Sequence, residues 1–287
     1  MARLRYRHAR TIASGFRGSL RGITVDLRDR LYAAGDAEIR VFEGDARARR
    51  WATAGPVHTV AIATDGRVFA GESRQIEIFN PSGRLVDTWR DADRLGRVSA
   101  IGFSNGDVLA GDSHGRAIRR FDAAGRFLND IGLNNRTQGF VVPNGVVDFG
   151  VARSGIVHAA NPGKHRVERY RPGGELLGHI GRFGGLDPTG FSGCCNPTNV
   201  CVVDDRPEGS PEGLHDESAL RVYTTEKGGP RVKVHDARGA LLAVVADTGF
   251  DPNCKNMDVA VDSRGRVHVV DTVRLEIRTF EPEAGRE

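Results

Sequence analysis

Short stretches in which apolar and polar residues alternate recur along the whole chain, separated by glycine, aspartate and serine. A period of two residues is typical of β-strands, and the separating residues favour tight turns. The clearest stretches are EIRVFEGDAR ending at Arg47, QIEIFNPSGR ending at Arg84, AIRRFDAAGR ending at Arg126, RVERYRPGGE ending at Glu175, RVKVHDARGA ending at Ala240 and EIRTFEPEAG ending at Gly285. Six copies of one motif predict a repeat protein built from β-strands.

The six copies share one aligned position, which is aromatic in five of them. Its residues are Phe42, Phe79, Phe121, Tyr170, His235 and Phe280. Their spacing is roughly the 40 to 50 residues that one propeller blade requires. Two further short strands precede each copy, the first beginning at Ile23, Val60, Ala100, Phe149, Val200 and Val259, and the second at Leu31, Val68, Val108, Ile156, Val222 and Val267. Each blade is therefore expected to consist of strands A, B and C, followed by a strand D.

The pattern predicts an all-β fold, a six-bladed β-propeller of four-stranded antiparallel blades. The chain ends soon after the sixth strand C, so its strand D has to come from elsewhere. Residues 4–13 have the right length and alternation, and we expect this N-terminal strand to complete the last blade. Such closure removes an exposed sheet edge, which would otherwise invite aggregation. Residues 1–287 are accordingly predicted to form a single domain.

The last copy carries the resemblance to a known family. VAVD from Val259, GRVHVVD ending at Asp271, and IRTF followed by glycine resemble NHL repeats, and the same pattern extends over essentially the entire chain. The resemblance implies a six-bladed propeller. It says little about activity, because propellers serve as lyases, hydrolases, receptors and scaffolds alike.

Composition and charge limit the kinds of partner that the chain is expected to bind. Apolar residues make up 39% and charged residues 27% of the chain, with 41 basic and 37 acidic side chains. The basic residues are scattered, so no nucleic-acid partner is expected, and the patch of Arg3, Arg5, Arg7 and Arg10 is interpreted as a solvated edge strand. The chain has no stretch of 18 apolar residues, so no membrane-spanning segment is expected. Without a signal-peptide pattern the chain is expected to be cytoplasmic, or periplasmic or secreted if a leader was removed.

All four cysteines, Cys194, Cys195, Cys201 and Cys254, fall in the last third of the chain. Aligning strands A of blades five and six pairs Asn199 with Asp258, which places Cys195 opposite Cys254. By parity, Cys201 faces the channel one step deeper. We therefore predict that two to four thiols converge at one mouth of the central channel, on a space also edged by Asn144, Asp148, Asn199, Asn256 and Asp258.

Converging thiols allow several chemistries. They are suitable ligands for zinc, copper or an iron–sulfur cluster. They also permit dithiol–disulfide cycling, or nucleophilic attack by one thiolate beside Lys227, Lys255 or Arg231. Plain packing is a further alternative, above all for Cys201. The spacing matches no standard zinc or ferredoxin motif, so these alternatives remain open at this stage.

A second resemblance concerns the site itself. The Gly-Cys-Cys-Asn-Pro stretch and the Glu-Lys-Gly-x-Pro-Arg stretch are similar to motifs in a subgroup of bacterial NHL-type propellers. This resemblance implies that Cys194, Cys195, Glu226, Lys227, Arg231 and Cys254 form one functional site, with Asn199 and Asp258 as further binding residues. The predicted function is a binding or redox-accessory propeller with a protein or small-molecule partner.

Two other functions are also predicted as alternatives. Val142-Pro143-Asn144-Gly145 resembles a stretch of gluconolactonase-like propellers, which implies a small-molecule lyase or lactonase-like hydrolase with a cation bound in the channel. A protein-interaction scaffold with structural cysteines is the third possibility. The acidic residues at the end of strands B are expected to accept backbone N–H groups within their own turns. The insertion from Asp204 to Ser218 is expected to be a flexible loop or a docking element.

Overall fold

The computed structural model describes residues 4–44, 46–135, 138–185, 187–204 and 219–283. It contains six antiparallel sheets of four strands each, and the innermost strands of neighbouring sheets contact one another around a central channel. The all-β, six-bladed propeller predicted from the sequence is therefore confirmed. Residues 205–218 of the predicted acidic insertion, and Arg3 of the N-terminal basic patch, lie outside the described residues.

Each blade follows the order A, B, C, D from the channel outward. Blade 1 is β2 (Gly22–Val25), β3 (Leu31–Gly35), β4 (Glu38–Glu43) and β5 (Ala46–Ala52); blade 2 is β6 (Thr59–Ile62), β7 (Val68–Gly71), β8 (Gln75–Phe79) and β9 (Leu85–Arg90). Blade 3 is β10 (Val98–Ser104), β11 (Asp107–Asp112), β12 (Ala117–Phe121) and β13 (Phe127–Ile131); blade 4 is β14 (Phe149–Val151), β15 (Val157–Asn161), β16 (Arg166–Tyr170) and β17 (Leu176–Ile180). Blade 5 is β18 (Asn199–Asp204), β19 (Leu220–Glu226), β20 (Arg231–Asp236) and β21 (Leu241–Ala246).

Blade 6 joins the two ends of the chain. It consists of β22 (Val259–Val261), β23 (Val267–Asp271), β24 (Glu276–Pro282) and the N-terminal strand β1 (Tyr6–Ala13). β1 pairs antiparallel with β24, from Tyr6 opposite Pro282 to Ala13 opposite Glu276. This confirms that the N-terminal strand closes the ring, so that blade 6 has the same four strands as the others.

The core lies between blades rather than in one central mass. One cluster of buried residues packs Tyr32 of blade 1 against Val60 and Phe79 of blade 2. The aromatic position of the repeat is buried in every blade. In blade 5 this position is His235, where burial and the neighbouring Lys233 charge lower the imidazole pKa to about 4. The ring is therefore neutral at physiological pH, and its Nε2 lies 3.3 Å from the Thr224 hydroxyl.

The ends of strands B hold the linkers that enter each blade. Asp36 accepts the Ser19 N–H at 2.6 Å and Asn161 accepts the Val141 N–H at 3.0 Å. In blades 5 and 6, Glu226 accepts the Ser192 N–H and Asp271 accepts the Asp251 N–H, both at 2.9 Å. Asp112 accepts the N–H groups of His114 and Gly115, as predicted for a carboxylate that serves its own turn. Asp271 does the same with the N–H groups of Val273 and Arg274. The groups at the ends of strands B also fix the linkers that form one mouth of the channel.

A 3₁₀ turn at Pro162–Lys164 follows β15. No described helix has the length and apolar character that crossing a membrane requires.

Ring closure predicts a large effect at one side chain of β1. Ile12 is 2% exposed and packs against Leu20 and Ile277. We expect Ile12→Ala to lower the free energy of unfolding by about 2–5 kcal/mol, because it leaves a cavity at the seam. Chemical denaturation measures this. The exposed neighbour Thr11→Ala should change it by less than about 0.5 kcal/mol, and an equally small effect of Ile12→Ala would show that closure contributes little to stability.

Candidate functional site

Two adjacent cysteines lie on the linker between β17 and β18. Cys194 is exposed, Cys195 is buried, and their sulfur atoms are 3.1 Å apart. The side chain of Asn196 fixes the loop to the turn after β19: its Oδ1 accepts the Lys227 N–H at 2.9 Å, and its Nδ2 donates to the Lys227 carbonyl at 3.1 Å. The two sequence motifs that we predicted to share one site are therefore in direct contact.

Lys227 affects the thiols by its charge. Its ammonium donates to Oδ1 of Asn144, whose Nδ2 in turn donates to the Cys195 carbonyl at 3.5 Å. The Cys195 thiol and the Lys227 charge together lower the pKa of Cys194. Burial raises the pKa of Cys195. The exposed thiol is therefore the one that ionises first, with the buried thiol as its hydrogen-bond donor.

Glu226 at the end of β19 and Arg231 at the start of β20 hold this loop in place. Glu226 is fully buried, and its carboxylate contacts Lys233 Nζ at 2.7 Å and Arg231 Nη2 at 3.1 Å. Lys233 also donates to the Gly190 carbonyl at 2.6 Å, and Arg231 donates to the Ser192 hydroxyl at 2.6 Å. Glu226 pairs with both cations, and the two cations in turn hold the linker, so these side chains position the loop.

The other two cysteines have different surroundings. Cys254 is fully buried in an apolar cluster with Phe250 and Met257, and its thiol donates to Asp271 Oδ1 at 3.0 Å. Burial and this hydrogen bond raise its pKa. Cys201 lines the channel, where burial and the charge of Asp258 raise its pKa to about 12. Both thiols are therefore protonated at neutral pH.

Within the described part of the chain, the only cysteine sulfurs in mutual hydrogen-bonding contact are those of Cys194 and Cys195. The same residues include no group of three or more His, Cys, Asp or Glu side chains arranged to hold a metal ion. The metal-binding role of the four cysteines stays a prediction. The structure brings together a smaller set, namely the two adjacent thiols, Lys227 and Asn144.

Asn199 and Asp258 lie deeper, where strands A of blades 5 and 6 begin. Asp258 accepts the Ile23 N–H of blade 1 at 2.7 Å, and Asp148 accepts the Val200 N–H of blade 5 at 2.7 Å. Burial raises the pKa of Asp258 to about 7. Burial and the Asp258 charge together raise the pKa of Asp148 well above its usual range. These two carboxyls therefore hold protons far above the pH at which an exposed aspartate ionises.

The sequence reasoning missed Lys233, although a signal existed. The middle of strand C carries a charged residue in all six copies of the repeat, at Arg40, Glu77, Arg119, Glu168, Lys233 and Arg278. A charge at a fixed position of a buried strand requires a partner. In blade 5 the partner is Glu226, which thereby connects the repeat to the cysteine loop.

Removing the ammonium of Lys233 should destabilise the protein. Lys233→Met leaves one oxygen of the buried Glu226 carboxylate without its counter-charge, and we expect a loss of about 3 kcal/mol in the free energy of unfolding. Chemical denaturation measures it. Lys164→Met, at an exposed lysine, is the matched control and should stay within about 0.5 kcal/mol of the parent. Similar values for both variants would contradict the supporting role of the ion pair.

The raised carboxyl pKa values predict a pH dependence. A carboxyl with a folded-state pKa above its unfolded value stabilises the fold at low pH and loses this contribution as pH rises. For Asp258 the window runs from the unfolded value of 3.8 to about 7. The contribution of Asp258 to the free energy of unfolding should therefore fall across this window, so the difference in this free energy between the parent and Asp258→Asn should change as the pH rises from about 4 to about 7. Parallel curves for parent and variant, from denaturation at stepped pH, would refute this.

Comparison with known proteins gives the fold but no family. No family model matches the chain, and no curated protein matches it. A streptogramin B lyase structure superposes with a TM-score of 0.66 at 9% identity, covering 97% of this chain and 98% of that one. Virginiamycin B lyase from Staphylococcus aureus gives 0.64 at 11%, covering 96% and 99%. The RRP9 WD40 repeats give 0.61 at 14%, covering 99% of each chain. At such identities, these likenesses show a β-propeller and nothing about its activity.

Proposed function

We propose that this chain is a thiol-dependent binding or redox-accessory propeller whose working group is the Cys194–Cys195 pair. One observation carries the proposal: an exposed cysteine with a lowered pKa lies 3.1 Å from a second thiol. Low-pKa, accessible thiols with a second thiol beside them are typical of thiol–disulfide exchange and of thiolate ligation. The rigid ring supplies a platform that holds this pair at the channel mouth.

The redox reaction that fits the pair is exchange with a partner disulfide. The Cys194 thiolate attacks one partner sulfur, which forms a mixed disulfide and expels one partner thiolate. Cys195 then loses its proton to solvent and attacks the Cys194 sulfur, expelling the second partner thiolate. The chain ends as the Cys194–Cys195 disulfide, oxidised by two electrons, and the partner disulfide ends as two thiols.

The same two sulfurs also suit a metal ion. Thiolates prefer soft or borderline ions such as copper(I) and zinc, and binding would displace both thiol protons. An iron–sulfur cluster is normally held by four thiolates, and only two of the four cysteines are in contact here. Of the cofactors we predicted, a two-thiolate zinc or copper site is therefore the one that the geometry favours.

Three further assignments remain proposals. The repeat pattern from Val259 onward supports membership of the NHL group among propellers. The exposure of Cys194 supports a protein or small-molecule partner that reaches the mouth. A cytoplasmic location rests on the sequence pattern alone.

The reactivity of Cys194 should depend on Lys227. We expect iodoacetamide to modify Cys194 fastest among the four cysteines at pH 7, because the other three thiols have raised pKa values. Lys227→Met should raise the Cys194 pKa and slow modification by up to about tenfold, the change that one pKa unit makes in the thiolate fraction. Mass spectrometry of the labelled peptide, followed over time, measures the rate.

Lys255→Met is the matched control, because it removes a lysine from the same mouth that does not act on Cys194. Its labelling rate should equal that of the parent. Equal rates in all three proteins would show that Lys227 does not activate the thiol. Cys194→Ser should remove the fast phase altogether.

Metal analysis of the purified protein, followed by thiol titration under reducing and oxidising conditions, separates the two chemistries. Bound zinc or copper that is lost in Cys194→Ser and Cys195→Ser supports the metal site. Loss of two titratable thiols on oxidation, absent in both variants, supports disulfide cycling. Four inert thiols and no metal would contradict both and favour the interaction scaffold with structural cysteines.

A lyase or hydrolase is the second candidate function, and one observation favours it. Asp148 and Asp258, at the start of inner strands, both have carboxyl pKa values raised by burial, and the Asp258 charge raises that of Asp148 further. Asn199 lies between them in the chain. Raised carboxyl pKa values are typical of general acids. Oxygen-bearing side chains also suit calcium or magnesium, the predicted channel cation. Calorimetric titration with calcium, compared between the parent and Asp258→Asn, tests this function.

A further inference from the structure

A second site lies at the same mouth, beside the cysteine loop. It is a cavity of about 350 Å³ formed by the linkers into blades 1, 2, 3, 4 and 6 and by the first residues of the inner strands. Its lining includes Arg21, His58, Arg97, Lys255, Asn199, Asn256 and Asp258. Small-molecule sites in proteins commonly have volumes of roughly 300–1,000 Å³, so this cavity is large enough for a compact metabolite.

The wall of the cavity carries more cations than anions. Asp258 is the acidic side chain of the lining, and its carboxyl accepts the N–H groups of Ile23 and Val259. Arg21 and Arg97 are in no ion pair within the described chain, and Arg97 Nε is buried without an acceptor. Burial and the like charge of Arg21 lower the pKa of Arg97. His58 is neutral, since burial and the two arginines lower its pKa to about 4. Lys255 adds a third cation at the rim.

Uncompensated cations in a half-buried cavity are energetically costly. Elsewhere in the described chain, buried arginines are paired, as Arg119 is with Asp112 at 3.0 Å. A guanidinium N–H that is removed from water and bonded to nothing weakens the fold. An oxyanion in the cavity would supply the missing acceptors, and guanidinium groups bind carboxylate and phosphate oxygens in a two-pronged geometry.

At the floor of the cavity, hydrogen-bond acceptors rather than donors lack partners. Asn199 is 4% exposed, and its Oδ1 is buried without a donor. Its amide group bonds to Asp148, which leaves the oxygen for the cavity side. Asn256 Oδ1 is also buried without a partner, while its Nδ2 donates to the Asn144 carbonyl at 3.3 Å. Donor groups of a ligand, such as hydroxyls, would satisfy both acceptors at the floor.

We infer that this cavity binds a small molecule that carries a carboxylate or phosphate group at one end and hydroxyl donors at the other. The oxyanion lies between Arg21 and Arg97, and the hydroxyls face Asn199 and Asn256. A sugar acid or a phosphorylated polyol has this chemistry. The inference concerns residues outside the cysteine pair and stands whether or not the thiols cycle.

Thermal unfolding tests the inference at fixed ionic strength. The probes are D-glucuronate, inorganic phosphate and D-glucose, the last matching glucuronate except for its carboxylate. At about 20 mM we expect glucuronate or phosphate to raise the Tm by about 2 °C or more, through preferential binding to the folded state. Glucose should have no such effect. A response to glucuronate alone assigns a carboxylate ligand, and a response to phosphate alone assigns a phosphate ligand.

Variants locate the binding site. Arg97→Gln should weaken anion binding at least about tenfold, because one charged pair of hydrogen bonds is lost. Arg21→Gln, at an exposed position, tests the same site if Arg97→Gln fails to fold. Arg126→Gln, at an exposed arginine that pairs with Asp122 in a different turn, should bind as the parent does. The inference is overturned if no anion shifts the Tm of the parent, or if anions stabilise the Arg21 and Arg97 variants as much as the parent.

Discussion

Closure of the ring by β1 is the constraint on which the rest of the structure depends. The pairing of Tyr6–Ala13 with β24 makes the ends of the chain neighbours and gives blade 6 its fourth strand. Once the ring is closed, inner strands from all blades surround one channel, and linkers far apart in the sequence meet at its mouth. Arg21 of blade 1 and Asp258 of blade 6 line one cavity for this reason alone.

Buried charged side chains then fix the position of the cysteine loop at the channel mouth. Blade 5 places Glu226, Lys233 and Arg231 in one compensated cluster beneath the cysteine loop. Such pairs contribute little net stability compared with apolar packing, but they strongly disfavour alternative positions of the loop. The loop is therefore precise because each charge has a partner. The guanidinium of Arg97, in contrast, has no ion-pair partner in the described chain.

The fold was predictable because each blade repeats the same local pattern, and the aromatic position and the alternating strands are visible in every copy. The adjacent cysteines were also visible in the sequence. Their proximity to Lys227 was predicted by assigning the connecting turns to one face of the propeller. The surroundings of Cys254 were not predictable, because its hydrogen bond to Asp271 depends on the path of one linker. The proximity of Arg21 and Arg97 was not predictable for a similar reason. Arginines are scattered along the sequence, and only the closed ring brings these two to one cavity.

Asn144 connects the two sites at the mouth. Its Oδ1 accepts from Lys227, its Nδ2 donates to the Cys195 carbonyl, and its own carbonyl accepts from Asn256. Asn256 lines the charged cavity, whereas Lys227 lowers the pKa of Cys194. One residue on the linker before blade 4 thus contacts both the lysine that acts on the thiol, through its side chain, and a wall of the cavity, through its backbone carbonyl. Because Asn144 makes all three contacts, the geometry of either site depends on the position of this one residue.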